Sequence, residues 1–237
     1  MPAIPTVLHS EDLMSLIMAC TLFLGLHWLI AGSLLRQRIV ALAGEKAFRL
    51  GFSLSVLASL IWMGWAYAHA PRIETWGTAT ALKPLAAVIM AMAFVFFIEG
   101  TFSKNISILN SHTPEDIAPR GLLRITRNPG LIGLGLWGLA HGMVNGDWAS
   151  HWLFGTFAFQ GLIGPLNMEK KFRKKFGAAW DTFAQQTSHG PFLAILRGRN
   201  QLCWREISLF WVVISLIVYA LVLHYHARWF GVSPLLL

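Results

Sequence analysis

Residues 124–148 read RITRNPGLIGLGLWGLAHGMVNGDW. Two arginines precede a proline, and an apolar run carrying five glycines (Gly130, Gly133, Gly135, Gly138 and Gly142) leads to one imidazole, His141. Asn128 and Pro129 supply a helix cap and a first-turn proline. Asn145-Gly146-Asp147 is a tight-turn signal. A second apolar run begins immediately after it, so the stretch predicts the first arm of a helical hairpin. A helix with no charged side chain between its cap and its turn belongs in a membrane or a deep core.

The rest of the chain decides between these. Of 237 residues, 55% are hydrophobic and 13% charged, whereas a soluble domain carries about 25% charged residues. Eleven tryptophans suit a protein with two membrane–water interfaces, where indole rings concentrate. A net charge of +8 would suggest nucleic acid in a soluble protein, but segregated loop charge explains it here without nucleic acid. Cys20 sits in an apolar run and Cys203 beside a basic loop, so neither a disulfide framework nor a zinc knuckle is expected. The opening MPAIPTVLHSEDL has neither a basic stretch before its apolar run nor Arg-rich transit character, so the first apolar segment reads as a retained span.

Spans of about 20 apolar residues are expected at 12–35, 46–70, 82–102, 128–146, 147–166 and 206–226. The segments 36–49, 103–127 (with Lys104, Arg120, Arg124 and Arg127) and 167–205 hold sixteen of the nineteen Lys and Arg, and the other side only Arg72, Lys83 and Arg228. This predicts a multi-pass protein with both termini outside, expected in a bacterial inner membrane. In 167–186, Phe172, Phe176, Trp180 and Phe183 recur at helical spacing opposite a basic face. That pattern fits a helix lying on the inner membrane surface, or one packed on the inner loops. The expected fold class is all-α: a polytopic bundle of about six spans plus this amphipathic helix, forming one domain over 1–237.

Ionisable groups within spans are functional candidates by default. His27 lies well inside the first, His69 near the outer end of the second, Glu99 near the inner end of the third, and His141 within the fourth. His151 follows the outer turn, and His224 and His226 end the sixth, where LHYHAR is a weak metal-binding pattern. A lone membrane histidine is ordinarily a neutral imidazole bonded to a neighbouring helix. Two deep in separate helices admit a shared ligand, since paired imidazoles hold haem iron between membrane helices. Glu99 is expected to pair with Arg124 or Arg127, a proton relay being the other reading. On α-helical spacing Gly135, Gly138 and Gly142 share a face beside His141, and close helix packing is its usual reason. HExxH, paired CxxC and Walker patterns, and a GxGxxG following a strand, are absent from the sequence.

The blocks LLRITRNPGLIGLGLWGLAH (122–141) and RKKFGAAWDTFAQQTSHGPFLAILRGRNQL (173–202), preceded by HWLIAG (27–32) and GEKAFRLGFSLSVLASL (44–60), resemble the NnrU family. Within it, they are similar to the 15-cis-zeta-carotene isomerases of plants and cyanobacteria. The resemblance covers most of residues 20–210. It implies a membrane protein binding haem b through His27 and His141, with His69 in reserve, and the glycines 135, 138 and 142 letting a porphyrin approach. In those isomerases the reduced form isomerises the central cis double bond of a tricis-carotene, so an apolar polyene is the implied substrate and the redox partner is unspecified. The family pattern has a cysteine where this chain has Gly138 and a histidine where it has Asn128. Other bacterial members are associated with nitrite and nitric oxide metabolism, which keeps an accessory role in denitrification open. A weaker resemblance links the RxxRxP motif and Glu169 to integral-membrane methyltransferases using S-adenosylmethionine. Trp137 and Phe23 are candidates to line an apolar channel. The two ligand positions agree in depth: His27 is about 13 Å from Arg36 and His141 about 18 Å from Pro129 along their helices.

Overall fold

The computed structural model describes residues 8–30, 34–103 and 118–235. Lys104 of the basic segment 103–127 and residues 31–33 of the first expected span lie outside the described residues. The elements are α1 (Leu8–Gly25), a π-helical turn (Leu26–Ile30), α2 (Leu34–Ala43), α3 (Glu45–His69), β1 (Glu74–Thr78), α4 (Lys83–Phe102), α5 (Leu122–Ile125), α6 (Pro129–Val144), β2 (Asn145–Asp147), α7 (Trp148–Leu162), α8 (Gly164–Phe176), α9 (Ala178–Gln186), α10 (Leu193–Leu196) and α11 (Leu209–Phe230).

Four stretches are long and apolar enough to cross a membrane: Glu11–Ile30, Glu45–His69, Thr80–Phe102 and Leu209–Phe230. Their large side chains turn outward, as Leu57, Ile61 and Trp65 do on α3 and Val213, Ile217 and Leu221 on α11. Only 6% of the α11 span is buried. Apolar surface on that scale is at rest in lipid and not in water, so the chain is a helical membrane-associated protein. The other two expected spans are shorter. Helices α6 and α7 have 16 and 15 residues, about 24 and 22 Å of rise against a hydrocarbon core of about 30 Å. Length therefore supports four of the six.

The chain divides into two compact units, Met1–Ala79 with Asn145–Thr156, and Thr80–Val144 with Phe157–Leu237. In the first, Leu16, Ala19, Cys20 and Phe23 of α1 are buried with Met63 and Ala66 of α3. Trp62 Nε1–H donates to Ser15 Oγ at 3.0 Å. The Asn-Gly-Asp turn is more than a turn: β2 pairs antiparallel with β1, matching Glu74 with Asp147 and Thr78 with Asn145. The all-α expectation thus gains a two-stranded ribbon. Gly146 is required there, because a Cβ would stand 2.6 Å from Trp76 Cγ. Asp147 also caps α7, accepting from Ser150 N–H at 2.9 Å and Ser150 Oγ–H at 2.7 Å, and Tyr67 hydroxyl shares a hydrogen bond with Ser150 Oγ at 3.0 Å.

In the second unit α6 packs backbone to backbone on both sides. A Cβ on Gly133 would meet Ala93 O of α4 at 2.7 Å, and one on Gly135 would meet Leu162 Cγ of α7 at 2.7 Å. Gly100 and Gly161 make the reciprocal approaches to Gly130 and Gly135. Helix α11 joins α4 through Tyr219 hydroxyl, which donates to Ala87 O at 2.9 Å. Ser208 caps α11, its hydroxyl accepting from Trp211 N–H at 3.4 Å. Gly231 ends it in the left-handed region at φ 74°.

The amphipathic segment does not form one surface helix. Gly177, at φ 55°, breaks it into α8 and α9. The break folds its aromatic face inward, so that Trp180 and Phe183 are buried with Leu123 and flanked by Phe172 and Phe176. Packing within the protein is the arrangement the chain adopts, because those rings find apolar partners there.

Candidate functional site

Each candidate imidazole is oriented by its own helix. His27 Nδ1–H donates to Phe23 O at 2.8 Å, His69 Nδ1–H to Trp65 O at 2.8 Å and His141 Nδ1–H to Trp137 O at 3.0 Å. In all three the acceptor is the residue four positions earlier. That same residue is aromatic each time, with ring centroids 4.5, 4.6 and 4.5 Å apart respectively. A carbonyl acceptor fixes the proton on Nδ1 and leaves Nε2 as the lone-pair nitrogen, the state in which imidazole binds a metal, with the carbonyl orienting the ring. The donor chemistry therefore fits haem iron at His27 and His141.

The surroundings separate the candidates. His27 stands in the π-helical turn Leu26–Ile30, a local widening frequent at functional sites, and Phe52 of α3 meets it edge-on at 5.7 Å. His69 is exposed at the end of α3. His141 is half-buried, and its backing ring Trp137 meets Phe157 of α7 edge-on at 5.3 Å. His27 belongs to the first unit and His141 to the second. His141 has a further neighbour in its own unit, the ring of His226 on α11, at 6.4 Å between centroids and 25° between planes. Of the glycine face, Gly135 is a packing residue filled from α7, and Gly138 is buried.

At the other end of α6 lies a polar cluster whose partners are not visible in the sequence. Arg124 does not meet Glu99. Its Nε donates to Glu206 Oε2 at 2.6 Å, its Nη2 to Glu206 Oε1 at 2.8 Å and its Nη1 to Asn200 Oδ1 at 2.6 Å. This bidentate contact holds the Glu206 carboxyl down at about 2 and raises the Arg124 guanidinium. Arg127 is buried and pairs with Glu169 at 3.3 Å. It also donates to Thr187 O at 3.1 Å and lies 5.5 Å from the Trp180 ring centroid. Burial lowers the Arg127 guanidinium from its ordinary value, against the opposing pull of Glu169. Glu99 is corrected from an ion pair to a buried carboxyl, and its Oε2 has no hydrogen-bond partner among the described residues. The cause is geometric, since both arginines are taken by carboxylates from later in the chain.

His189 completes this end and was passed over in reading the sequence. Its Nε2–H donates to Leu162 O, its Nδ1 accepts from Asn128 Nδ2 at 3.4 Å, and its carbonyl accepts from Thr126 Oγ1–H at 2.6 Å. Asn128 starts α6 through its own carbonyl, which accepts from Ile132 N–H at 3.0 Å. The only available signal for His189 was its position in the TSHG motif of the 173–202 block. Glu169, matched above to a methyltransferase acid, is engaged with Arg127.

Comparison with known proteins completes the picture. The family model described as NnrU protein matches residues 15–234. The chain belongs to the NnrU family. Among similar proteins is the chloroplastic 15-cis-zeta-carotene isomerase of Zea mays, 24% identical over 206 residues, which cover 84% of this chain and 55% of the relative. Another is that of Arabidopsis thaliana, 29% identical over 168 residues, 68% of this chain and 45% of the relative. The chain spans about half the length of these curated relatives. Both are named chloroplastic, so the expected bacterial inner membrane draws no support from them. No solved structure matches.

Proposed function

We propose that this NnrU protein is a membrane cis–trans isomerase of a long polyene such as 15-cis-zeta-carotene, carrying haem b ligated by His27 and His141. The observation that carries the reading is that, of three imidazoles whose Nδ1–H is spent on the carbonyl four residues earlier, His27 and His141 are half-buried while His69 is exposed. Similarity to two proteins named as isomerases of that substrate supports the activity. Haem, when bound, would supply redox-active iron able to shift electron density at a conjugated double bond.

The chain's own contribution is placement. The backing rings Phe23 and Trp137 pack against the imidazoles, Phe52 meets His27 edge-on and Phe157 meets Trp137 edge-on, an apolar setting that suits a hydrocarbon. Gly138, standing where the isomerases carry a cysteine, offers no sulfur ligand. We read α6 and α7 as two short crossings, giving six in all with both termini outside. The segregation of sixteen of nineteen cations to one side supports this, and local bilayer thinning accommodates short helices.

The test is the absorption spectrum of the purified protein before and after dithionite, together with conversion of 9,15,9′-tricis-zeta-carotene in cells that accumulate it. Sharp low-spin bands and conversion, both lost in His141→Ala, are expected. Haem without conversion would point to an accessory role in nitrite or nitric oxide metabolism. Absence of haem together with S-adenosylmethionine binding would replace the reading by methyl transfer.

A further inference from the structure

The stretch between α9 and α11 is inside out in polarity. Its polar groups are spent on the protein. Phe192 N–H donates to Ile125 O at 2.8 Å, and His189 O accepts from Thr126 Oγ1–H at 2.6 Å. Asn200 Oδ1 and the Glu206 carboxyl accept from Arg124, and Glu206 also takes Gly121 N–H. Arg199 Nη1 and Asn200 Nδ2 reach the carbonyls of Gln185 and Gln186 at the end of α9, at 3.0 and 2.8 Å. With this side fastened to α5, its flanks and α9, large apolar side chains are left outside. Leu196 is 80% exposed and Trp204 69%, and Phe192 is exposed beside them in the chain. Phe192 is held at φ 62°, a left-handed conformation that a bulky side chain rarely adopts.

A surface of this kind is at rest against lipid and not against water. Its place in the chain agrees. The α11 span begins at Leu209, and Leu209 and Phe210 are themselves exposed. Trp204 opens a single 3-10 turn, Trp204–Glu206, just before it. Because that turn is coiled, the reach to Leu209 is well below the about 17 Å of five extended residues. The indole therefore stays near the end of the span, in the interfacial layer where tryptophan concentrates.

Charge selects the kind of lipid. From 167 to 206 the acids are Glu169, Asp181 and Glu206, and each is paired with an arginine: Arg127, Arg173 and Arg124. Arg197 and Arg205 directly follow Leu196 and Trp204 in the chain. Both are exposed, and neither has an acid within salt-bridge distance among the described residues. Lys170 and Lys174 add exposed charge on α8 of the same compact unit. An arginine beside an exposed apolar side chain can lay its stem along lipid and set its guanidinium on a phosphate.

We propose that residues 192–206 form a docking surface for anionic phospholipid, with Leu196 and Trp204 at the boundary of headgroups and acyl chains and Arg197 and Arg205 on the lipid phosphates. The docking needs no haem and stands apart from the isomerase reading.

The experiment uses the full chain in nanodiscs of phosphatidylcholine, with or without phosphatidylglycerol. A nitroxide is placed at Leu196→Cys in a Cys203→Ser background, Cys20 being buried. Power saturation compares access to oxygen, which partitions into acyl chains, with access to a water-soluble nickel chelate. Oxygen access should exceed nickel access in discs containing phosphatidylglycerol, and the excess should shrink without that lipid or in Arg197→Gln/Arg205→Gln. Unlabelled protein gives a second measurement: phosphatidylglycerol retained through detergent purification should fall about fivefold for each arginine replaced, with circular dichroism checking the fold. Nickel access above oxygen access in both kinds of disc, with retention unchanged by the arginine variants, overturns the proposal and leaves the surface to water or a protein partner. Oxygen access that is blind to phosphatidylglycerol and to both arginines overturns the choice of anionic lipid.

Discussion

The two ends of helix α6 use polar side chains in opposite ways. At its start, Arg124, Thr126, Arg127 and Asn128 bond to groups from distant parts of the chain: Glu206, Asn200, His189, Glu169 and Thr187. At its far end, His141 bonds to a carbonyl of its own helix and faces a second imidazole that bonds to its own C-terminal turn. The first arrangement ties elements together, and its loss is felt in stability. The second fixes a ring's tautomer and direction, as the ligand to a bound group proposed above would need. Function and stability should therefore separate along one helix.

The largest expected effect is functional. On the ligation proposed above, His141→Ala should lower haem retained per protein at least tenfold, since changes even to outer-shell partners cost about 10–100-fold, while the unfolding midpoint in detergent moves little. His69→Ala, at an exposed helix end, should leave haem content unchanged. Equal losses in the two variants, read by the pyridine haemochrome assay, would mean that His141 has no special part in holding haem.

Arg127→Leu should do the reverse. It removes a buried cation that bridges Glu169, Thr187 O and the Trp180 ring, and breaking such a pair costs about 3 kcal/mol. Denaturant unfolding in detergent measures it, and an unchanged midpoint would show that this end is not structural. Smaller again is the effect of Gly161→Ala, about 1–3 kcal/mol, because the added Cβ would lie 2.6 Å from Gly135 Cα. Gly155→Ala in the same helix meets nothing within 4 Å and should be neutral or stabilising by about 0.5–1 kcal/mol. A similar loss in both would mean that the close α6–α7 approach is not what Gly161 provides.

The same contrast explains what could be read from the sequence. Local signals held: the Asn128-Pro129 start, the four long apolar runs and the helical spacing of Phe172, Phe176, Trp180 and Phe183 are properties of neighbours along the chain. Partners set by folding were invisible. Nothing near Arg124 announces Glu206, 82 positions on, and nothing in Asn-Gly-Asp announces a strand paired with residues 74–78. The glycine face was legible as spacing, but only the approach of Leu162 shows that Gly135 serves packing. His226 appeared as half of a weak LHYHAR pattern. Its pairing with His141 depends on how α11 lies against the rest of its unit, which periodicity does not encode.

The Arg124–Glu206 pair gives the smallest effect and the most specific one. Arg124 holds the Glu206 carboxyl at about 2, from a usual value of 4.5. A carboxyl whose value is depressed in the folded state stabilises above its unfolded value and loses that contribution as pH falls through the folded one. The contribution should therefore be complete above about pH 4.5, decline below it and be gone near pH 2. Glu206→Gln removes it at every pH, so the difference between wild type and variant should be constant at neutral pH and shrink toward zero as the solution is acidified. The pair is solvent-exposed in part, with side chains 25% and 26% accessible, so the difference in Tm should stay below about 3 °C and narrow further in high salt. Thermal melts of both proteins from pH 7 to pH 2 measure it. A gap that widened on acidification would mean that Glu206 is not the acceptor of the Arg124 charge, and that the start of α6 is held by its neutral hydrogen bonds alone.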